Sequence, residues 1–347
     1  MPFVWSVAFA AVVALAVCWK ADALGRALGV MDAPDGGRKR HSRPTPMVGG
    51  VALVVPLVVV AWVQSAGAAV GDVYIAIALA VTTFFLIGFI DDRRHIRPLY
   101  RLTLSFATVV ATVWLVPELR VGFFRFSFAP VAIFLTTGWG VAFTAVCLVG
   151  LQNAVNMADG RNGVAMGCLL IWSVLLMPYA SPHMVPVLGA MVGVLAVLLV
   201  FNLSGKVFLG DSGAYAGSIA IGLLSVRAYG VGFAELHADV VAIWFLVPVI
   251  DALRVMLIRM LKGQSPFSPD SRHFHHKLDA LMPWRWGLVV YLALVAVPGT
   301  LAALYPAQTL FWAMGTLGVY GSILAAAAFN RPAQEGRRLD FHLSGRR

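Results

Sequence analysis

Long apolar runs, broken by short polar interruptions, recur along the whole chain. They fall near residues 3–19, 47–63, 73–90, 102–117, 129–151, 163–181, 184–203, 212–229, 238–261, 286–304 and 308–329. A helix needs about 17–25 apolar residues to cross hydrocarbon, and backbone groups in lipid must bond within their own segment. The pattern therefore predicts about eleven transmembrane helices, or ten if one irregular run stays out. The irregular runs are 212–229, which holds Arg227, and 163–181, which Pro178 interrupts. Alternation with period two is absent, which argues against a barrel. The expected fold class is all-α, a polytopic integral membrane protein. It would form one multi-span catalytic domain over 1–329, with a polar, basic tail over 330–347 and no internal repeat.

Composition agrees with the pattern. Of 347 residues, 60% are hydrophobic and 12% charged, against about 25% charged in a soluble domain. A water-soluble globular protein is excluded. The first run lacks a basic leading region and a small-x-small cleavage site, so it reads as a span and not a removable signal. Cys18, Cys147 and Cys168 lie singly in apolar runs and read as packing residues.

Charge sets an expected orientation. If the loop after the first span is cytoplasmic, so are those near 20–46, 91–101, 152–162, 204–211 and 262–285, and the tail. Of 26 Lys and Arg, only Arg120, Arg125 and Arg227 then fall on the other side, leaving 26 − 3 = 23 inside. The positive-inside rule places the N-terminus outside and the C-terminus in the cytoplasm. The net charge of +10 thus reflects topology first and attraction for membrane lipids or anionic substrates second. Nucleic acid is not an expected partner.

Nearly every unusual polar cluster falls in those same loops: RKRHSRPTPMVGG (38–50), DDRRHIRP (91–98), NAVNMADGRNG (153–163), GKVFLGDSG (205–213) and SPFSPDSRHFHHKL (265–278). A site facing the cytoplasm at the membrane surface is expected. In GKVFLGDSG, glycines beside Asp211 at a helix start let backbone N–H groups meet a phosphate. Asp211 can hold a hard cation, since Mg²⁺ takes one or two carboxylates plus phosphates; a plain helix cap is the bland alternative. Asp91 and Asp92 follow a hydrophobic run directly, as a metal site, a base, or interface charges pairing with Arg93 and Arg94. Arg93, Arg94, Arg97 and Arg101 read as topology and headgroup contacts, with phosphate binding second. Asn153, Asn156 and Asp159, at i, i+3 and i+6, line one side of a helix, where they could bond a sugar or nucleobase or join helices. His273, His275 and His276 lack a partner at zinc spacing and read as diphosphate donors beside Arg272 and Lys277. Asp251 has Arg254 one turn on, so a structural ion pair is expected there.

Taken in order, HSRPTPMVGG, GFIDD, NAVNMADGRNG, VFLGDSG and PFSPDSRHFHH resemble the polyprenyl-phosphate N-acetylhexosamine-1-phosphate transferases over roughly residues 38–278. The resemblance implies transfer of a sugar 1-phosphate from a UDP-N-acetylhexosamine to undecaprenyl phosphate, with Mg²⁺ (or Mn²⁺) as cofactor and UMP released. This would be the initiating step of cell-envelope polysaccharide synthesis, in a bacterial cytoplasmic membrane. It implies Asp91 and Asp92 as the paired catalytic aspartates and Asp211 as the metal ligand. Asp159, His275 and His276 would be further catalytic groups. His41, Asn156, Asn162, Asn202, Phe208 (stacked on uracil), Arg272 and His273 would bind substrate. The H-x-H-H form looks like the branch acting on simple N-acetylhexosamines. Asn162 stands where the family often has an acid, Ala214 where GDSGS is commoner, and His95 where some members carry a third acid or a lysine. The acceptor phosphate needs little deprotonation, so direct attack on the donor is expected, with an aspartyl nucleophile as the competing route. A homodimer is left open. A transporter, or a non-catalytic scaffold for glycan assembly, is the alternative from another class.

Overall fold

The computed structural model describes residues 1–34, 43–66, 70–232, 235–267 and 272–329. Helices dominate these residues. α1 (Phe3–Trp19) bends by 73° into α2 (Ala21–Leu28). A two-residue strand β1 (Met31–Asp32) then pairs antiparallel with β2 (Thr45–Pro46), Met31 opposite Pro46. Next come α3 (Gly49–Ser65), α4 (Gly71–Arg94) and α5 (Pro98–Leu115). A second hairpin joins β3 (Phe123–Phe124) to β4 (Ile133–Phe134). The rest is helical: α6 (Thr137–Ala158), α7 (Val164–Leu176), α8 (Met184–Leu203), α9 (Gly210–Val231), α10 (Ala238–Leu261), the short α11 (Phe274–Leu281), α12 (Trp284–Leu304) and α13 (Thr309–Phe329).

Among the described residues, eight helices are long and apolar enough to cross a membrane, or nine if the bent α1–α2 pair is one span. α3 and the segment Val164–Tyr179 are shorter apolar helices. Each of the eleven expected runs meets a helix, and the chain is an all-α polytopic membrane protein. One boundary moves substantially. The run expected over 129–151 becomes helical only at Thr137, because its first residues belong to the β3–β4 hairpin. Phe123, Phe124, Ile133 and Phe134 favour extended backbone, and apolarity alone does not separate a strand from a helix.

α9 is the most buried of the spans, which accounts for its modest hydropathy. It packs on α3, α4, α6 and α7, so its Gly, Ala and Ser positions face protein and let neighbouring backbones approach. α5 and α13 lie at the periphery, with most of their surface open to lipid.

The proline inside α10 is compensated. Pro248 in α10 has no N–H, which leaves the carbonyl of Trp244 without its i+4 donor. The indole of Trp172 on α7 fills the gap, Nε1 donating to that carbonyl at 2.7 Å. Trp244 in turn donates Nε1 to the carbonyl of Gly299 on α12 at 3.2 Å. Two buried indoles thus tie three helices together while satisfying polar groups that lipid could not.

Candidate active site

The turns after α4, α6, α8 and α10 meet at one end of the bundle, as their contacts show. α4 ends in the DDRR sequence, so both acids stand in its last turn and not in a loop. His95 takes a left-handed backbone (φ 48°), donating its N–H to the carbonyl of Asp91 at 2.9 Å. Arg97, extended before a proline, leads into Pro98 at the first position of α5. The reversal takes only three residues, and it returns Arg101 onto the acids. The Arg101 guanidinium pairs with Asp91 Oδ2 and lies 3.3 Å from Asp211 Oδ2. Asp91 Oδ1 accepts the N–H of Ile96 at 2.7 Å.

Asp92 does something else. Its Oδ1 accepts the N–H of Asp211 at 2.8 Å, and its Oδ2 accepts that of Ser212 at 3.0 Å. A carboxylate from α4 therefore caps the N-terminus of α9, where orphan N–H groups and the helix dipole favour negative charge. Gly210 makes the approach feasible. Its φ is +74°, and an added Cβ would stand 2.7 Å from Asp92 Oδ2. With both oxygens engaged, Asp92 is poorly placed to act as a nucleophile, and its visible work is positioning Asp211.

The segment before Asp211 is held by a backbone ladder. Phe208 N–H donates to the carbonyl of Pro46 at 2.9 Å, and the carbonyls of Phe208 and Leu209 accept from Gly49 and Gly50 at 3.0 and 3.1 Å. Val207 and Leu209 are fully buried while Phe208 between them is half-exposed. The Phe208 ring is thus presented toward the open side. Asn202 supports the same segment, its Nδ2 donating to the carbonyl of Val207 at 3.0 Å and its Oδ1 accepting from Gly163 N–H at 2.7 Å. Expected as a substrate contact, Asn202 is a tie between the two turns.

The turn after α6 carries Asp159, which caps that helix. Burial, with Asp92 nearby, pushes its carboxyl well above the ordinary carboxylate range. The next residue, Gly160, lies against His275, where an added Cβ would be 2.4 Å from Nε2. His275 is 1% exposed and neither ring nitrogen has a hydrogen-bond partner. Burial, then the neighbouring His276 and His273, hold its pKa well below the ordinary imidazole value, so the ring is neutral. Its neighbours are the parallel ring of His273 at 5.6 Å and the tilted ring of His276 at 4.2 Å. The turn itself is latched to α11 and α12. Arg161 pairs with Asp279 at 2.5 Å and lies 4.8 Å over the Trp284 ring, and Trp284 Nε1 donates to the carbonyl of Asn162 at 3.0 Å.

Asp91, Asp92, Asp159, Asp211, His275 and Phe208 are thus brought to one end. Asn156 is half-buried on α6, less than one turn before Asp159, while Asn153 donates to the carbonyl of Val149 in its own helix. His276 and Arg272 flank the site on the histidine helix and the turn before it, Arg272 bonding Gln264 at 3.4 Å. His273 is a correction. Its ring is buried and spent on Asp251 and Arg259, so it does not face a substrate. His41 lies outside the described residues. Arg101 was read as a topology and headgroup contact first, with phosphate binding second. Its signal was the spacing from Asp91, with Pro98 starting a new helix between them.

A sequence model of glycosyl transferase family 4 matches residues 74–229. The chain is 31% identical over 277 residues to the decaprenyl-phosphate N-acetylglucosaminephosphotransferase of Mycobacterium tuberculosis, an alignment covering 70% of this chain and 67% of that protein. The chain belongs to glycosyl transferase family 4. It is also 28% identical over 273 residues to the probable undecaprenyl-phosphate N-acetylglucosaminyl 1-phosphate transferase of Bacillus subtilis, covering 76% and 74%. With the undecaprenyl-phosphate alpha-N-acetylglucosaminyl 1-phosphate transferase of Yersinia pestis it shares 29% over 260 residues, covering 72% and 69%. The matched region of this family 4 chain contains Asp91, Asp92, Asp159 and Asp211 and stops short of the histidine helix.

The donor chemistry of the acids suits a divalent cation. Among the described residues no three His, Cys, Asp or Glu side chains converge on one point. Asp91 Oδ2 and Asp211 Oδ2, however, both reach the single Arg101 Nη1, so two hard oxygens already share one positive group. Mg²⁺ commonly takes one or two carboxylates and completes its shell with phosphates and water.

Proposed function

We propose that this protein transfers an N-acetylhexosamine 1-phosphate from a UDP-sugar to undecaprenyl phosphate or a related polyprenyl phosphate. The products would be a polyprenyl diphosphate sugar and UMP, in the initiating membrane step of cell-envelope polysaccharide synthesis. The observation that carries this reading is the convergence of Asp91, Asp211 and Arg101 with the Asp159–Gly160 turn and His275 at the ends of spanning helices. A lipid phosphate and a dissolved nucleotide sugar can meet at that depth and nowhere deeper.

Asp211, with Asp91, would hold Mg²⁺ (Mn²⁺ as an alternative). The metal's contribution is to neutralise charge on the donor diphosphate and the departing UMP. The other steps belong to the chain. The half-exposed Phe208 ring offers a stacking surface for uracil. Asn156 and Asn162 line the approach to the sugar, and His276 and Arg272 flank its phosphates. Arg101, shared by two acids, is a cation already placed among phosphate-binding groups. The neutral His275 can donate or accept at the Asp159 turn without adding charge.

An oxygen of the acceptor phosphate forms a bond to the donor's β-phosphorus. The bond from that phosphorus to the oxygen bridging the α-phosphate breaks, and UMP departs with the electron pair. No base is required, since the second pKa of a phosphomonoester is about 6 and the group is largely dianionic near neutrality. An aspartyl nucleophile is the competing route, and Asp92, bonded through both oxygens to α9, is ill suited to it.

The test is direct. Purified protein, polyprenyl phosphate, Mg²⁺ and a panel of UDP-sugars are mixed and UMP is measured. Release that requires both substrates is expected, and sustained multiple-turnover release without lipid, or none with any donor, would overturn the reading. Exchange of labelled UMP into donor without acceptor would overturn direct attack while leaving the reaction class intact.

A further inference from the structure

His275 is buried, faces the Asp159 turn and has no hydrogen bond of its own. Something other than its own polar contacts must fix it there. Asp251 supplies the answer. It is 4% exposed, on the spanning helix α10. Its Oδ1 accepts Arg254 Nη2 at 2.6 Å and Tyr320 OH, from α13, at 2.8 Å. Both of its oxygens lie 3.1 Å from the N–H of Phe274, the first residue of α11. Its Oδ2 accepts His273 Nδ1 at 3.0 Å. One intramembrane carboxylate therefore caps the histidine helix and binds the residue that precedes it. Arg254 reinforces the cap, donating also to the carbonyl of Arg272 at 2.7 Å.

The partners dictate the state of His273. Asp251 only accepts, and Arg259, whose Nη2 is 3.4 Å from Nε2, only donates. Nδ1 therefore donates to Asp251, and the ring cannot turn without setting donor against donor. It lies within 5° of parallel to the His275 ring with centroids 5.6 Å apart, so a fixed His273 is a surface against which His275 packs.

We propose that Asp251 and His273 are positioning residues for the transfer reaction. The carboxylate caps α11 and locks His273, and His273 holds His275 against the Asp159–Gly160 turn. The proposal rests on the transfer reading above and deepens it. In family terms it assigns His273 to support, leaving His275 and His276 at the site.

Asp251→Asn tests it with an isosteric change. With the amide nitrogen at the Oδ2 position it would face the N–H of Phe274 and Nδ1–H of His273, and turned to the Oδ1 position it would face Arg254 Nη2 and the N–H of Phe274. Part of the tether to α11 breaks in either arrangement. Misplacing a catalytic group by about 1 Å can cost about 10²-fold, so kcat should fall by that order while the donor KM stays within about threefold. His273→Asn keeps a donor where Nδ1–H stands and should lose less than about tenfold; His273→Gln, which moves the donor away, should match Asp251→Asn. The Cε1–H resonance of His275, assigned by its loss in His275→Gln, should move in Asp251→Asn and His273→Gln and return in His273→Asn. If Asp251→Asn does not fold, Tyr320→Phe and the His273 pair carry the same comparison. An unmoved resonance with kcat within about twofold of the parent would overturn the proposal. A parent protein that turns over no donor would instead overturn the transfer reading, and the resonance would still decide the tether.

Discussion

Replacing Asp92 with Asn separates a capping role from a chemical one. The Asp92 carboxylate accepts two N–H groups from the first turn of α9, at 2.8 and 3.0 Å. Hydrogen bonds to a charged acceptor contribute about 1.5–3 kcal/mol each, against about 0.5–1.5 for neutral partners. Asn keeps one oxygen, so one bond weakens to the neutral range. The other is replaced by an amide nitrogen facing an N–H, which leaves that donor unsatisfied. The loss comes to about 2–4 kcal/mol, with the lost charge–dipole attraction included in the upper part of that range. The assay is thermal unfolding of the purified protein in detergent, followed by tryptophan emission, beside UMP release. Asp92→Asn should unfold several degrees below the parent and lose most activity, because Asp211 shifts with its helix. Unfolding indistinguishable from the parent with activity abolished would mean that Asp92 acts on the substrates directly, and the capping argument would fail.

Asp211→Asn should nearly abolish UMP release while thermal unfolding stays near the parent's, and a variant with its rate and Mg²⁺ dependence intact would refute the metal assignment. Phe208→Ala should raise the donor KM by about 5- to 150-fold, from base stacking worth about 1–3 kcal/mol, with a smaller change for lipid; equal losses would count against stacking. Gly160→Ala places a methyl 2.4 Å from His275 Nε2 and should depress kcat more than donor binding measured by calorimetry. His275 has its pKa lowered by burial, so the unfolded chain binds the extra proton. Stability should therefore rise with pH up to the ordinary histidine value of about 6.5 and fall below it, and His275→Gln should flatten that limb in a pH series of unfolding temperatures.

Much of the fold was legible because bilayer thickness forces one pattern: α1, α10 and α13 begin or end within a residue or so of the expected runs. The hairpin before α6 was not, since its Phe and Ile residues are as apolar as those of a span. α11 was hidden for the opposite reason, being eight residues long and polar. The acids could be found from their doubling and their glycine neighbours, but not their division of labour. Whether Asp91 or Asp92 faces Arg101 depends on which side of the last turn of α4 meets α9, a matter of packing. Asp251 was read correctly as a partner of Arg254. Its hold on His273, Phe274 and Tyr320 joins residues 22, 23 and 69 positions away, and no local pattern announces that.

The placement of polar groups also bears on the transporter alternative. A transporter usually carries its site near mid-bilayer on broken helices. Here Asp91 and Asp92 lie in the last turn of α4, Arg101 in the first turns of α5, Asp211 in the first turn of α9 and Asp159 just past α6. These positions share one level, at helix ends. Asp251 is the apparent exception, an acid well inside α10, and an intramembrane carboxylate is by default a functional group. Its oxygens are occupied by Arg254, Tyr320, His273 and the N–H of Phe274, and three of these four donors lie on other elements. A carboxylate satisfied in that way cannot bind and release a passing solute without unseating α11. The deep acid is therefore accounted for by the shallow site, since capping the histidine helix is what brings His275 to the level of the other groups.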